Sequence, residues 1–146
     1  EKLTYSFNMS KTNNIHKGYK EYAEYCKDHI NFNELDSTRP IKFTAHSLGS
    51  VAATIIASEV DTPIELILFG SPKPGGVDFI KRFRDKKNVI VHNYITQYDP
   101  VQVFPFIADY EHVEEPEILL DVRYQNILKN HSMDCYIENL KNNMDI

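Results

Sequence analysis

The sequence predicts an α/β fold in which a mostly parallel central sheet is flanked by helices. Segments with the apolar pattern of strands alternate along the chain with segments whose apolar side chains recur every three or four residues, as in helices. The run from Ile64 to Phe69 is apolar except for Glu65, which is typical of a strand covered on both faces. The 146 residues, 42% of them hydrophobic, fit one domain over residues 1–146.

The first half of the chain is predicted to contain helix, strand, helix and strand in that order. From His16 to Ile30 the apolar side chains fall at i, i+3, i+4 and i+7 spacing, which indicates an amphipathic helix. Ile41 to Ala45 is a predicted strand, and Leu48 to Val60 a helix that follows it after a tight turn. The apolar run from Ile64 to Phe69 is the second strand, and Gly70-Ser71-Pro72 ends it.

The second half repeats this alternation. Val77 to Arg84 has a helical pattern, and Val89 to Ile95 is rich in the β-branched residues that strands favour. Glu117 to Val122 is predicted as a last strand at the sheet edge. The C-terminal segment from Met133 returns to helical spacing, which leaves His131 in the loop before that helix.

The charge and cysteine content argue against several kinds of function. With 16 basic and 21 acidic side chains, the net charge of -5 does not favour nucleic acid or an anionic membrane as a partner. The sequence contains no apolar run near the roughly 18 to 20 residues of a membrane-spanning helix. Cys26 and Cys135 match no metal motif and are predicted to be core residues. No metal site is therefore predicted.

Two charged segments are interpreted as solvated surface. The acidic stretch from Glu111 to Glu117 has residue types that ligate metals but no recognised ligand spacing. A basic cluster on the third helix and its exit is interpreted as a solvated face rather than a contact for phosphate or lipid head groups: Lys81, Arg82, Arg84, Lys86 and Lys87.

The segment Ala45-His46-Ser47-Leu48-Gly49 has the A-x-S-x-G form of a nucleophile elbow, between a predicted strand and a predicted helix. Such an elbow holds its serine in a strained turn, so the residues two positions away on each side must be small. Ala45 and Gly49 meet this requirement. The N–H of Leu48 would be left free by the helix start and is a candidate donor to an oxyanion. Taken alone, the five residues also fit an ordinary tight turn.

A serine hydroxyl is a weak nucleophile unless a base and an orienting acid support it. Asp99 follows the strand that ends near Ile95, and His131 precedes the last helix, so the order is Ser, Asp, His. His112 competes with His131 for the role of base, and Asp109 and Asp121 are weaker rivals of Asp99. The alternatives are that Asp99 only forms an Asp-Pro turn and that His131 only caps the helix.

These segments together resemble the class 3 lipase family. The resemblance rests on five elements in order: His16-Lys17-Gly18-Tyr19, Ala45 to Gly49, Phe69-Gly70-Ser71-Pro72, Asp99-Pro100-Val101, and His131 followed by Tyr136. It implies an α/β-hydrolase-like fold and a serine esterase that needs no cofactor. It also implies that Ser47 is the nucleophile, Asp99 the orienting acid, His131 the general acid and base, and Leu48 an oxyanion donor.

The N-terminal region departs from the family pattern. Family members usually carry a strand and an Arg-Gly-Thr-like loop before the H-x-G element, and this loop supplies a second oxyanion donor. Residues 1–14 contain no such loop. We expect the chain to be a portion of a longer domain that lacks its N-terminal strands. The alternatives are a substitute hydroxyl from Thr4, Ser6 or Ser10, or impaired catalysis.

The resemblance implies hydrolysis of acylglycerol or phospholipid esters, with a transient contact to a lipid surface. Apolar residues crowd behind the acid and are predicted to line an acyl-chain groove, although core packing is an equal alternative: Val101, Val103, Phe104, Phe106 and Ile107. The alternatives to an esterase are a catalytically impaired lipase-like binding or scaffolding domain, and an acyltransferase with the same three residues.

Overall fold

The computed structural model describes residues 14–36 and 38–143, which form four helices and six strands within those ranges. The helices are α1 Lys17–Asp28, α2 Leu48–Glu59, α3 Val77–Arg84 and α4 Met133–Asn143. The strands are β1 Ile41–His46, β2 Ile64–Phe69, β3 Gly75–Gly76, β4 Val89–Thr96, β5 Tyr110–Glu111 and β6 Glu117–Leu119.

The main sheet is parallel throughout and has the strand order β1-β2-β4-β6. In its register, Ile41 pairs with Ile64, which in turn pairs with Val89. Strands β3 and β5 form a separate antiparallel pair. Because all main-sheet strands run in one direction, their carboxyl ends meet at one edge, which is where sites form in sheets of this kind. The fold is the α/β arrangement that the sequence predicts.

The larger core lies between the sheet and the helices α1, α2 and α3. Helix α2 is buried along nearly its whole length because seven of its side chains from Val51 to Ala57 face either the sheet or α1. Strand β2 contributes Ile64, Leu66 and Leu68, all at most 2% exposed. A second, smaller cluster on the other face of the sheet joins Phe69 and Leu119 to Tyr136 of α4. The two clusters therefore pack against opposite faces of the sheet.

The structure differs from the sequence prediction in the length of the last strand. Strand β6 ends at Leu119 rather than at Val122. The reason is that its partner β4 ends at Thr96, which pairs with Leu119, so the pairing stops there. Farther along the chain, Val122 N–H donates to Asn139 Oδ1 of α4 at 3.0 Å. The β3–β5 pair was not predicted, because two-residue strands carry no periodic pattern.

The two cysteines and the basic cluster also have defined places. Cys135 is fully buried, and Cys26 packs against the core while remaining partly exposed. Arg84 is more than a solvated cation, because its guanidinium donates to the main-chain oxygens of Val113 at 3.0 Å and His112 at 2.9 Å. It thereby ties the acidic loop to the end of α3.

Candidate active site

Ser47 lies in the sharp turn between β1 and α2. Its backbone angles are φ 57° and ψ -128°, a conformation that L-residues rarely adopt and that costs about 1–3 kcal/mol. The turn is held because Ser47 N–H donates to Phe69 O at 3.0 Å, and Ser50 N–H donates to Ser47 O at 3.0 Å. This geometry lifts the Ser47 side chain out of the helix start and presents its hydroxyl at the carboxyl edge of the sheet.

Three side chains from distant parts of the sequence converge at this edge. His131 Nε2 lies 2.8 Å from Ser47 Oγ, and His131 Nδ1 lies 2.7 Å from Asp99 Oδ2. The His131 side chain is 18% exposed and that of Asp99 is fully buried. Because a carboxylate only accepts hydrogen bonds, Nδ1 carries the imidazole hydrogen, and Nε2 is left free to accept the Ser47 proton.

Asp99 accepts hydrogen bonds on both of its oxygens. Tyr136 OH donates to Oδ2 at 2.5 Å, beside the bond from His131 Nδ1, and Val101 N–H donates to Oδ1 at 2.8 Å. Asp99 therefore caps the short 3-10 helix Pro100–Val103 and orients His131 at the same time. The Asp-Pro turn and a contact with His131 are therefore not alternatives here.

Tyr136 contacts Asp99 directly, and the sequence analysis placed it only as one of the matched elements. Its side chain is fully buried, and its hydroxyl accepts a bond from Thr96 N–H at 3.2 Å while donating to Asp99. Burial, and next the hydrogen bond to the Asp99 carboxylate, raise the pKa of Tyr136 well above its ordinary value. Tyr136 is thus a neutral donor to Asp99 at neutral pH.

The loop before His131 is closed by the side chain of Asn130. Tyr124 N–H donates to Asn130 Oδ1 at 2.8 Å, and Asn130 Nδ2 donates to Tyr124 O at 3.0 Å. Thr96 Oγ1, at the end of β4, donates to Asn130 O at 2.9 Å. These three bonds, which we call the Asn130 clamp, fix the main chain next to His131. The short 3-10 helix Ile127–His131 lies within the closed loop.

Gly70 makes the close approach of these groups sterically possible. It has φ 56°, and a Cβ at this position would lie 2.7 Å from Asp99 Oδ2, 2.9 Å from Tyr136 OH and 3.0 Å from His131 Nδ1. The sequence analysis grouped Gly70 with the Phe69 to Pro72 turn as part of the architecture. A glycine directly after a buried strand is a sequence signal for a positive φ. It does not indicate which side chains lie next to that glycine in the fold.

The rival acids and base lie elsewhere. Asp109 and Asp121 are both exposed, and the acid in contact with His131 is Asp99. His112 lies in a surface pocket with Lys73 and Arg84. Burial lowers the pKa of His112, and its main-chain oxygen accepts from Arg84. The structure therefore brings together Ser47, Asp99 and His131 from the predicted set.

One of the candidate oxyanion donors lies within the described residues. Leu48 is the first residue of α2, where the main-chain N–H has no acceptor within the helix. It lies directly after Ser47 and stays a candidate oxyanion donor. Thr4, Ser6 and Ser10, the candidate substitutes for a second donor, lie outside the described residues.

Exposed apolar side chains surround the two 3-10 helices that carry Asp99 and His131. Val103 and Phe104 are 44% and 43% exposed, and Phe106 is 78% exposed, with the two phenyl rings 4.5 Å apart between centroids. Val101 is partly buried. Packing in the core is therefore not the role of Val103, Phe104 or Phe106. Ile127 and Leu128, which the sequence analysis did not single out, are 63% and 75% exposed on the loop of the Asn130 clamp.

The family model for Lipase (class 3) matches residues 2–108 of this sequence, which is more than half of the chain. The chain belongs to the class 3 lipase family. The H-x-G, elbow and D-P-V elements all fall within this match. The class 3 lipase pattern also places a histidine and a tyrosine after the D-P-V element, and His131 and Tyr136 occupy those places in the structure.

A curated relative of this class 3 lipase is Phospholipase A1-II 1 of Oryza sativa subsp. indica. It is 28% identical over 111 residues, which cover 66% of this chain and 28% of the rice protein. The protein of the same name from Oryza sativa subsp. japonica matches equally. This chain thus spans less than a third of the length of these relatives.

Solved fungal lipases share the fold. The Lip2 lipase from Yarrowia lipolytica matches with a TM-score of 0.60 at 22% identity, over 77% of this chain and 46% of that chain. The Rhizomucor miehei lipase propeptide complex matches with a TM-score of 0.61 at 19% identity, over 82% of this chain and 43% of that chain. The α/β-hydrolase-like fold is therefore confirmed, and this chain covers less than half of each structure.

The described residues contain neither a membrane-spanning helix nor a metal-binding cluster. None of the helices in residues 14–36 and 38–143 is long and apolar enough to cross a membrane. The same residues contain no cluster of three or more His, Cys, Asp or Glu side chains that could hold a metal ion.

Proposed function

We propose that this chain is the catalytic portion of a serine esterase that hydrolyses carboxylic esters of lipids, through Ser47, His131 and Asp99. One observation carries the proposal: a continuous hydrogen-bond chain runs from Ser47 Oγ through His131 to Asp99, with bonds of 2.8 and 2.7 Å. Both distances are within the reach that proton transfer requires. Membership of the class 3 lipase family supports the same chemistry.

The proposed reaction begins when Ser47 Oγ attacks the ester carbonyl and His131 Nε2 takes the hydroxyl proton. Asp99 stabilises the imidazolium that forms, and Leu48 N–H donates to the oxyanion. His131 then gives its proton to the departing alcohol, which leaves an acyl-enzyme on Ser47. A water molecule, deprotonated by His131, attacks the acyl-enzyme and releases the carboxylic acid. The cycle needs no cofactor.

A fluorophosphonate probe tests the nucleophile. The full natural protein that carries this chain is expected to react covalently, and mass spectrometry of its peptides should place the adduct on Ser47. Ser47→Ala provides the control because it removes only the hydroxyl. If the natural protein does not react, or if the Ser47→Ala variant reacts as fast, the proposed function is wrong.

The proposed substrates are acylglycerols or phospholipids with medium or long acyl chains. The support is the exposed apolar surface beside the site, formed by Val101, Val103, Phe104 and Phe106 and extended by Ile127 and Leu128. The 3-10 helix Pro100–Val103 contacts the 3-10 helix Ile127–His131, so the two groups of apolar side chains lie on neighbouring segments. The name of the rice relative, a phospholipase A1, favours phospholipids as the first substrates to test. Transient contact with a lipid surface would involve the same side chains.

Phe106→Ser is expected to lower kcat/KM for an octanoyl ester about five- to tenfold and to leave an acetyl ester nearly unchanged. The reason is that removing a phenyl ring that contacts the acyl chain loses about 1 to 1.4 kcal/mol of apolar burial. Ile90→Ser is the matched control because Ile90 is 62% exposed on strand β4 and lies away from the carboxyl edge. Equal losses for both esters, or a natural preference for acetyl esters, would contradict an acyl-chain groove.

A further inference from the structure

His46, the residue before the nucleophile, contacts the base directly. Its ring lies 4.6 Å from the His131 ring between centroids, at an interplanar angle of 31°. Its Nε2 lies 2.7 Å from the main-chain oxygen of His131. One residue at the end of β1 therefore touches both the ring and the main chain of a residue 85 positions later in the sequence. No step of the proposed reaction uses this contact.

The partner atom fixes the protonation of His46. A carbonyl oxygen only accepts hydrogen bonds, so His46 Nε2 must carry a hydrogen and donate it. The bond joins the end of β1 to the loop that ends at His131. The Asn130 clamp holds that loop from one side and His46 holds it from the other. The distance between Ser47 Oγ and His131 Nε2 is thus set partly by a side chain adjacent to the nucleophile.

The charge state of His46 bears on the charge of His131. The charged groups that face His46 are His131 and Asp99, and the neutral hydroxyl of Tyr136 lies nearby, with its ring 6.0 Å away. Burial, assisted by the proximity of His131, lowers the pKa of His46 below its ordinary value despite the hydrogen bond to His131 O and the Asp99 carboxylate. A neutral His46 adds no repulsion when His131 becomes an imidazolium. A protonated His46 would oppose the protonation of His131, because the two rings are in contact.

We propose that His46 is a positioning residue for the base: it holds the His131 main chain against the nucleophile strand, and it must be neutral for His131 to accept the Ser47 proton. The inference rests on the proposed function, since it concerns the same proton transfer. It assigns a role to a side chain that touches neither the ester nor the Ser47 hydroxyl.

The test uses two variants of the full natural protein with a soluble short-chain nitrophenyl ester. His46→Gln keeps an N–H group near the position of Nε2 but cannot be protonated, and His46→Phe keeps the ring but loses the donor. We expect His46→Phe to lower kcat about tenfold with little change in KM, because the base is less well placed. His46→Gln should recover most of that loss. Near-UV circular dichroism shows whether each variant is folded.

The pH profile provides a readout that a merely structural role would not change. In the natural protein a proton on His46 and a proton on the base each oppose the reaction, so the acid limb of log(kcat/KM) should approach a slope of about two once His46 is protonated. In His46→Gln one ionisation is gone, and the slope should be about one. Because the pKa of His46 is lowered, His46 becomes protonated, and activity is lost, below the ordinary pKa of histidine.

The outcomes separate this inference from the proposed function. If the natural protein does not react with a fluorophosphonate probe, the proposed function fails, and the role of His46 fails with it. If Ser47 is labelled but His46→Phe has the natural kcat, or His46→Gln keeps the natural acid slope, only the inference about His46 is overturned. A folded His46→Gln variant that is as slow as His46→Phe would also overturn it.

Discussion

Asp99→Asn is expected to lower kcat for a soluble ester about ten-thousandfold, the loss seen when the same change is made in a serine protease triad. The carboxylate accepts three donors, His131 Nδ1–H, Tyr136 OH and Val101 N–H. An amide has only one accepting oxygen, so at least one donor must face the Asn NH2 group. If that donor is His131, the imidazole turns to the tautomer that carries its hydrogen on Nε2 and cannot accept the Ser47 proton.

The measurement is kcat between pH 6 and 9 together with a urea denaturation curve. The curve should show a modest loss of stability, about 1–3 kcal/mol, because a mismatched donor is left in a site where Asp99 is 1% exposed. Asp109→Asn is the control, since Asp109 is exposed and was a rival for the acid role. A loss of activity in Asp109→Asn comparable to that in Asp99→Asn would refute the assignment of the acid.

Gly70→Ala is expected to lower kcat at least about a hundredfold and to destabilise the fold by about 2–5 kcal/mol. A Cβ at Gly70 would lie 2.7 Å from Asp99 Oδ2 and 3.0 Å from His131 Nδ1, so the two groups must separate. A displacement of about 1 Å in the catalytic geometry costs on the order of a hundredfold in rate. The positive φ of Gly70 adds about 1–2 kcal/mol of backbone strain, and overpacking adds about 1–3 kcal/mol.

Gly49→Ala provides a matched control for the change at Gly70. Gly49 lies in the first turn of α2, and an added Cβ would meet only the Ala45 Cβ, at 4.0 Å. Replacing a helical glycine by alanine stabilises a protein by up to about 1 kcal/mol when the space is free. Thermal melting should therefore show a lower stability for Gly70→Ala and an equal or higher stability for Gly49→Ala. Activity should fall only in Gly70→Ala. Natural activity in Gly70→Ala would contradict the prediction, because it would show that catalysis tolerates a wider separation of the three side chains.

The main elements of the fold could be predicted because they depend on local patterns. The bounds of β2 and α3 agree with the prediction at both ends, since apolar periodicity and a following turn define them. Strand β6 was predicted too long because its partner β4 ends at Thr96, and Val122 N–H bonds instead to Asn139, seventeen residues later. Such a contact depends on how α4 packs, and no local pattern reports it.

The site was predictable in its chemistry and not in its supporting contacts. The residue types around Ser47, Asp99 and His131 indicate their roles because each follows or precedes an element end. Tyr136 was predicted only as one of the elements of the family resemblance, since a sequence shows a ring and not the partner of its hydroxyl. The contact of His46 with His131 O arises where the end of β1 meets the loop before α4, and no local sequence pattern reports such a contact.

The Asn130 clamp separates two tasks that share one loop. Its bonds close the segment at Tyr124 and Asn130, so the side chains of Ile127 and Leu128 at the exposed tip can change in size or polarity while the imidazole stays in place. Under the proposed function, substitutions at the tip would then change the ester preference without loss of turnover. The rate of bond cleavage and the choice of acyl group would be independently adjustable properties of the molecule.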